Sequence, residues 1–96
     1  MAKEKYILVT TYCKHSNIDR EFIEALHQFG LIEQQFQKED LYILEEDIVE
    51  IERMFRLHND LGINMEGLDV LTHMQRRMEE MRRELVLLKQ KLELYE

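Results

Sequence analysis

Hydrophobic side chains are set along the chain in a short extended run, then in helical stripes, and last in one long regular seam. KYILV, residues 5 to 9, combines aromatic and β-branched side chains over a few positions, which predicts a strand. A short helix is predicted from about Thr10, a permitted N-cap, to His15. SNI then makes a tight turn, and Asp19 caps a second helix running through Phe29. Phe22, Ile23, Leu26 and Phe29 share one face of that helix, and Gly30 supplies the left-handed residue that commonly ends one.

After Gly30, LIE and LYI frame the loop EQQFQKED, which predicts a small hairpin or wing with Phe36 and Tyr42 folded back on the core. Glu45, Glu46 and Asp47 suit the positive end of the next helix, whose buried face holds Ile48, Ile51, Phe55 and His58. That helix runs to Asp60; Gly62 ends it, and Asn64 caps the last helix, so LGIN is a corner. The last helix carries Leu71, Met74, Met78, Met81, Leu85, Leu88, Leu92 and Tyr95 at alternating spacings of 3 and 4, an unbroken heptad seam. A seam of that length predicts self-association, with Met78, Met81, Leu85, Leu88 and Leu92 as the dimer contacts. The charges flanking it, Arg77 with Arg82, Glu84 with Lys89 and Lys91 with Glu96, favour neither orientation of the pair.

A chain of 96 residues has room for one small domain plus one protruding element. Residues 1–62 are expected to form the compact domain and residues 63–96 the dimerisation coiled coil. The longest apolar runs, YILV and LVLL, are far shorter than the roughly 20 residues of a membrane span, so the expectation is a cytoplasmic protein without membrane contact. Cys13 is alone and sits among apolar neighbours, which predicts packing rather than reactivity. His15, His27, His58 and His73 are scattered, with no zinc set, no phosphate loop and no nucleophile elbow. The expectation is therefore no enzyme, no metal and no cofactor.

The net charge of −7 bears on partners. Residues 10 to 44 hold three basic side chains (Lys14, Arg20, Lys38) against six acidic ones, a balance of −3. Residues 45 to 60 hold Arg53 and Arg56 against six acids, a balance of −4. Affinity for DNA comes largely from Lys and Arg replacing counterions on phosphate, so DNA binding is expected to be weak or absent.

Two short helices across a tight turn make a helix-turn-helix pattern. The order strand, TTYCKH, SNI, DREFIEALHQFGLIE, wing, helix, LGIN and long terminal helix resembles the MerR-type winged helix-turn-helix proteins. Within them TTYCKHSNI, ALHQFGLIE and the acidic EEDIVEIERMFRLHNDLGINMEGLDVL are similar to the chaperone modulatory proteins (CbpM-like). The resemblance implies a mainly α fold: a MerR-like winged helix-turn-helix with a small β wing and a long C-terminal helix forming a coiled-coil dimer. MerR-type DNA readers carry an arginine and a tyrosine in the recognition helix, a proline and an arginine after the GL pair, and another arginine in the wing. The corresponding stretch here, REFIEALHQFGLIEQQFQKEDLYI, has Glu21, Glu24 and Glu33 instead, and Lys38 alone is basic in the wing. What the resemblance implies is a protein target, the J-domain of a DnaJ/CbpA-like co-chaperone, whose work with the Hsp70 chaperone is inhibited. Glu21, Glu24, Glu46, Asp47 and Glu50 are the expected contacts to the basic helix of that J-domain. The alternative is a MerR-family DNA-binding transcriptional regulator, kept open by the basic cluster Arg76, Arg77, Arg82 and Arg83.

Overall fold

The computed structural model describes residues 5–37 and 39–95. The chain runs β1 (Tyr6–Leu8), α1 (Val9–His15), α2 (Arg20–Gln28), β2 (Gln34–Gln37), β3 (Asp40–Leu44), a 3-10 turn over Glu45–Asp47, α3 (Ile48–Leu61) and α4 (Met65–Glu93). This is a mainly helical winged helix-turn-helix with a small sheet and a long terminal helix, the architecture the sequence leads one to expect.

Local chemistry explains most boundaries. Asp19 accepts a hydrogen bond from the Phe22 amide at 2.9 Å, and Asn64 accepts one from the Gly67 amide at 2.8 Å, so both predicted N-caps satisfy an otherwise orphaned amide. Gly30 and Gly62 take left-handed backbone (φ 72° and 68°), which closes α2 and α3 as a residue with a Cβ does only under strain. The start of α1 differs from expectation. It begins at Val9, with Leu8 at the capping position and no side-chain cap from Thr10, because β1 leads straight into the helix and Val9 is needed in the core.

The wing is the hairpin expected of EQQFQKED: β2 runs antiparallel to β3 with Gln37 opposite Asp40, while residues 31 to 33 lie outside the strand. Hydrogen bonding to β3, with Gln34 opposite Ile43, outweighs the poor strand propensity of a glutamine-rich segment. β3 is the central strand, because β1 pairs with its other edge in the register Tyr6 to Leu44, Ile7 to Ile43 and Leu8 to Tyr42. Tyr42 is half-buried; the side chain of Phe36 and all of Lys38 lie outside what is described.

The core joins the sheet to all four helices. Val9, Ile23, Leu26, Ile43, Ile51, Met54 and Leu68 are almost completely buried, with Phe22, Ile18, Ile32 and Leu41 around them. Met54 takes the central place on α3, whereas Ile48 and Phe55 are half-buried; Phe29, at the end of α2, is exposed. Leu68 and Thr72 on α4 are buried as well, so the core continues past residue 62 into the first turns of the last helix. Beyond them α4 leaves the body. The Cα radius of gyration is 17.5 Å, against about 12.5 Å for a compact domain of this length, and the projecting helix accounts for the difference.

Candidate functional site

The recognition position of the helix-turn-helix is α2. Phe22, Ile23 and Leu26 turn one face into the core, which leaves Glu21 exposed and Glu24 at the margin. Arg20, the basic residue of this helix, donates its Nε–H to Glu24 at 3.0 Å. Both partners lie at the surface and four residues apart, so the pair adds only a few tenths of a kcal/mol. Its electrostatic consequence is larger: the cation best placed for phosphate is already matched by a carboxylate.

On α3 the acids are engaged unequally. Glu50 forms a two-pronged pair with Arg53, and Arg53 also donates to Gln75 Oε1 at 2.8 Å, which ties α3 to α4. The Arg53 hydrogen bond holds the Glu50 carboxyl below its ordinary pKa, and Glu50 in turn pushes Arg53 up. Asp47 is displaced the other way. Burial, and then the carboxylates of Glu46 and Glu33, raise its pKa, although the Glu33 amide donates to it. Glu46 and Asp47 line a hollow with Gly30, Ile32, Glu33 and Arg76.

The five expected contact acids therefore fall into two groups. Glu46, Asp47 and Glu50 cluster at the start of α3 beside the turn after α2, whereas Glu21 lies at the other end of α2 with Glu24 three residues on. There Glu21 borders a groove of about 450 Å³ whose walls include Asp19, Phe22, Phe55, His58 and Asn59. Eleven residues of chain separate Asp47 from His58, a displacement of about 16 Å along the helix axis at 1.5 Å per residue. Glu24 and Glu50 are bound to arginines; Glu21 and Glu46 have no ionic partner among the described residues.

The residues of the heptad seam stand in solvent in the single chain. Met78, Met81, Leu85, Leu88 and Leu92 are between 51 % and 66 % exposed, and Met74 is 56 % exposed. Leu71, where the helix still touches the body, is half-buried. The basic cluster is partly neutralised within the helix, since Arg82 and Arg83 both reach Glu79, at 2.7 Å and 3.4 Å. Arg76 instead lines the acidic hollow at the start of α3.

Two of the histidines, His27 and His58, brace helix ends. His58 Nδ1 lies 2.7 Å from the Ile63 carbonyl and His27 Nδ1 lies 3.4 Å from the Ile32 carbonyl, each bridging five residues around a left-handed glycine. A carbonyl can only accept, so each ring carries its hydrogen on Nδ1. The twin signal was present in the sequence as LHQFGLI and LHNDLGI, and it could have placed both rings at helix ends. The groove itself was not legible, because it needs Phe22 on α2 and Phe55 on α3 brought edge to face, with centroids 5.3 Å apart. Cys13 packs against the core and burial pushes its thiol pKa up, which disfavours the reactive thiolate. No group of three or more His, Cys, Asp or Glu residues among the described residues is arranged to hold a metal ion, and no described helix is long and apolar enough to cross a membrane.

Among known proteins, a family model described as MerR HTH family regulatory protein matches residues 7–90. Neither the curated proteins nor the solved structures contain a match to the chain.

Proposed function

The chain belongs to the MerR helix-turn-helix family of regulatory proteins, and from that premise we propose that it is a chaperone modulator. In this reading it binds the J-domain of a DnaJ/CbpA-like co-chaperone without catalysis and inhibits that protein's cooperation with Hsp70. The observation that carries the reading is the electrostatics of the face a DNA reader would use. Across residues 10 to 44 acids outnumber bases six to three, and Arg20 is held by Glu24. A carboxylate about 4 Å from a phosphate costs on the order of 1 kcal/mol even in water. Several such approaches oppose nucleic acid and favour a basic protein helix, while the resemblance to chaperone modulatory proteins supplies the class of partner. Complementary charge then steers encounter and selects the partner, and apolar contacts slow dissociation.

The acting species in this reading is a homodimer joined through α4. A stripe that includes Met78, Met81, Leu85, Leu88 and Leu92, each more than half exposed, is an aggregation liability in a lone chain and a seam in a pair.

Calorimetry of the cognate J-domain against the wild type and a Glu21→Lys, Glu46→Lys variant tests the reading. These acids are chosen because neither holds an arginine, so reversing them leaves the Arg20 to Glu24 and Arg53 to Glu50 pairs in place. The expected result is weaker binding for the variant, the equilibrium trace of slower association, with an altered salt dependence. A wild type that does not bind the J-domain removes the reading. The family match favours one second reading, a transcriptional regulator. Submicromolar, sequence-selective gel shifts at physiological salt would establish it in place of the first.

A further inference from the structure

The groove between the start of α2 and the end of α3 has a property that the acid count alone does not convey: both charged side chains in its lining, Asp19 and Glu21, are acidic, and Asn17 and Asn59 add amides that can accept as well as donate. Glu21 is exposed and has no ionic partner among the described residues. Asp19 has one carboxylate oxygen on the Phe22 amide and a second beside it. His58 uses its Nδ1–H on the Ile63 carbonyl, which fixes the ring at the groove wall. No lysine or arginine lines the groove. Its floor is aromatic, with Phe22 edge to face on Phe55 at 5.3 Å and tilted against His58 at 5.4 Å. His58 and Asn59, near the end of α3, border the same space, and the Asp19 cap covers the positive end of α2.

Resting on the reading of the protein as a binder of a basic helix, we infer that this groove receives an arginine side chain of the partner. Arginine is the side chain whose chemistry matches the two carboxylates and the aromatic floor together. Its guanidinium offers five donors in a planar fork, carries charge at all relevant pH, and stacks on aromatic rings. Its aliphatic stem suits an apolar floor. The volume, about 450 Å³, lies within the roughly 300 to 1,000 Å³ of small-ligand sites, so the side chain enters with part of its helix. The acids at the start of α3 then act as a separate steering field about one helix length away, whereas Glu21 and the aromatic floor form the anchor.

The test uses the full chain and a defined probe, an amphipathic helical peptide with arginines along one face and leucines beside them, followed by amide chemical shifts. The expected shifts centre on Glu21, Ala25, Phe55 and Asn59. Ala25 lines the groove, so Ala25→Arg fills it with the protein's own guanidinium, and a loss of about tenfold or more is expected, one anchor's worth of affinity. Glu21→Gln, at an exposed position that leaves the fold untouched, is expected to weaken binding by about threefold to fivefold and to flatten its salt dependence. Replacing the peptide arginines by neutral citrulline is expected to abolish the groove shifts. Shifts that map elsewhere, an equally tight citrulline peptide, or variants that bind like the wild type would each overturn the inference. A J-domain that binds the wild type yet ignores both variants also overturns it, while the co-chaperone reading stands. A J-domain that does not bind, beside an arginine peptide that behaves as expected, removes the co-chaperone and keeps the groove.

Discussion

Replacing Leu85 and Leu88 by aspartate dissects the proposed dimer with little risk to the protomer, because both side chains stand clear of the core. Leu85 is 66 % and Leu88 56 % exposed in the single chain, so the double substitution removes no packing that the body relies on. In a paired seam that exposed surface is covered. Fully burying a leucine stabilises by about 1.5 to 3 kcal/mol, and the fraction available here, close to 0.6, reduces this to about 1 to 1.8 kcal/mol per side chain. Two leucines on each of two chains make four such burials, or about 4 to 7 kcal/mol of association free energy lost. At about 1.4 kcal/mol per tenfold, the dimer dissociation constant rises by about 10³ to 10⁵, before the repulsion of four new carboxylates is added. The expected result in light scattering at micromolar concentration is a dimer for the wild type and a monomer for the variant. A second effect follows from helix physics. Beyond Arg76 α4 stands clear of the body, and helices in proteins owe most of their stability to packing of an amphipathic face. The variant is thus expected to lose helical circular dichroism from the end of α4 while its melting transition, set by the body, stays. A wild type that is monomeric, or a variant that keeps the wild-type mass, would refute the reasoning.

Three further outcomes are expected. Thr72 is buried and its hydroxyl has no hydrogen-bond partner among the described residues, so the near-isosteric Thr72→Val should stabilise by about 1 kcal/mol in chemical denaturation, the cost of one orphaned polar group. A Cβ on Gly67 would lie 2.7 Å from Ile63 Cγ2 and 3.1 Å from the capping Asn64 Oδ1; Gly67→Ala should therefore forfeit the helix-propensity gain of about 1 kcal/mol and lower the melting temperature. Asp47 and Glu50 should give opposite pH signatures in denaturation followed from pH 7 to pH 3. The raised pKa of Asp47 means that its charge opposes folding above the ordinary value of 3.8, so Asp47→Asn should stabilise at neutral pH and the gain should vanish as pH falls through that range. The lowered pKa of Glu50 means that its contribution is complete above the ordinary value of 4.5 and is lost as pH falls through its folded pKa, so Glu50→Gln should destabilise at neutral pH and converge with the wild type in acid.

The element order was decided by local sequence. Asp19 and Asn64 as caps, Gly30 and Gly62 as left-handed stops, and the 3 and 4 spacing of apolar residues act within a few residues of chain, so they are legible without any partner. The same holds for the charge balance, and with it the doubt about DNA. What depended on distant chain segments was not legible. β1 pairs with β3 because the helix-turn-helix returns the chain to its edge, whereas the β2–β3 hairpin, closed within a few residues, was legible from EQQFQKED despite the poor strand propensity of QQFQ. Tertiary packing also sorted acids that composition counts alike. Glu24 and Glu50 are matched by arginines, Asp47 is half-buried among carboxylates, and Glu21 stands free beside a groove whose aromatic floor is assembled from residues 33 positions apart. A caps-and-stripes code reaches one helical turn in each direction. A binding groove is a long-range contact, and only the folded chain supplies it.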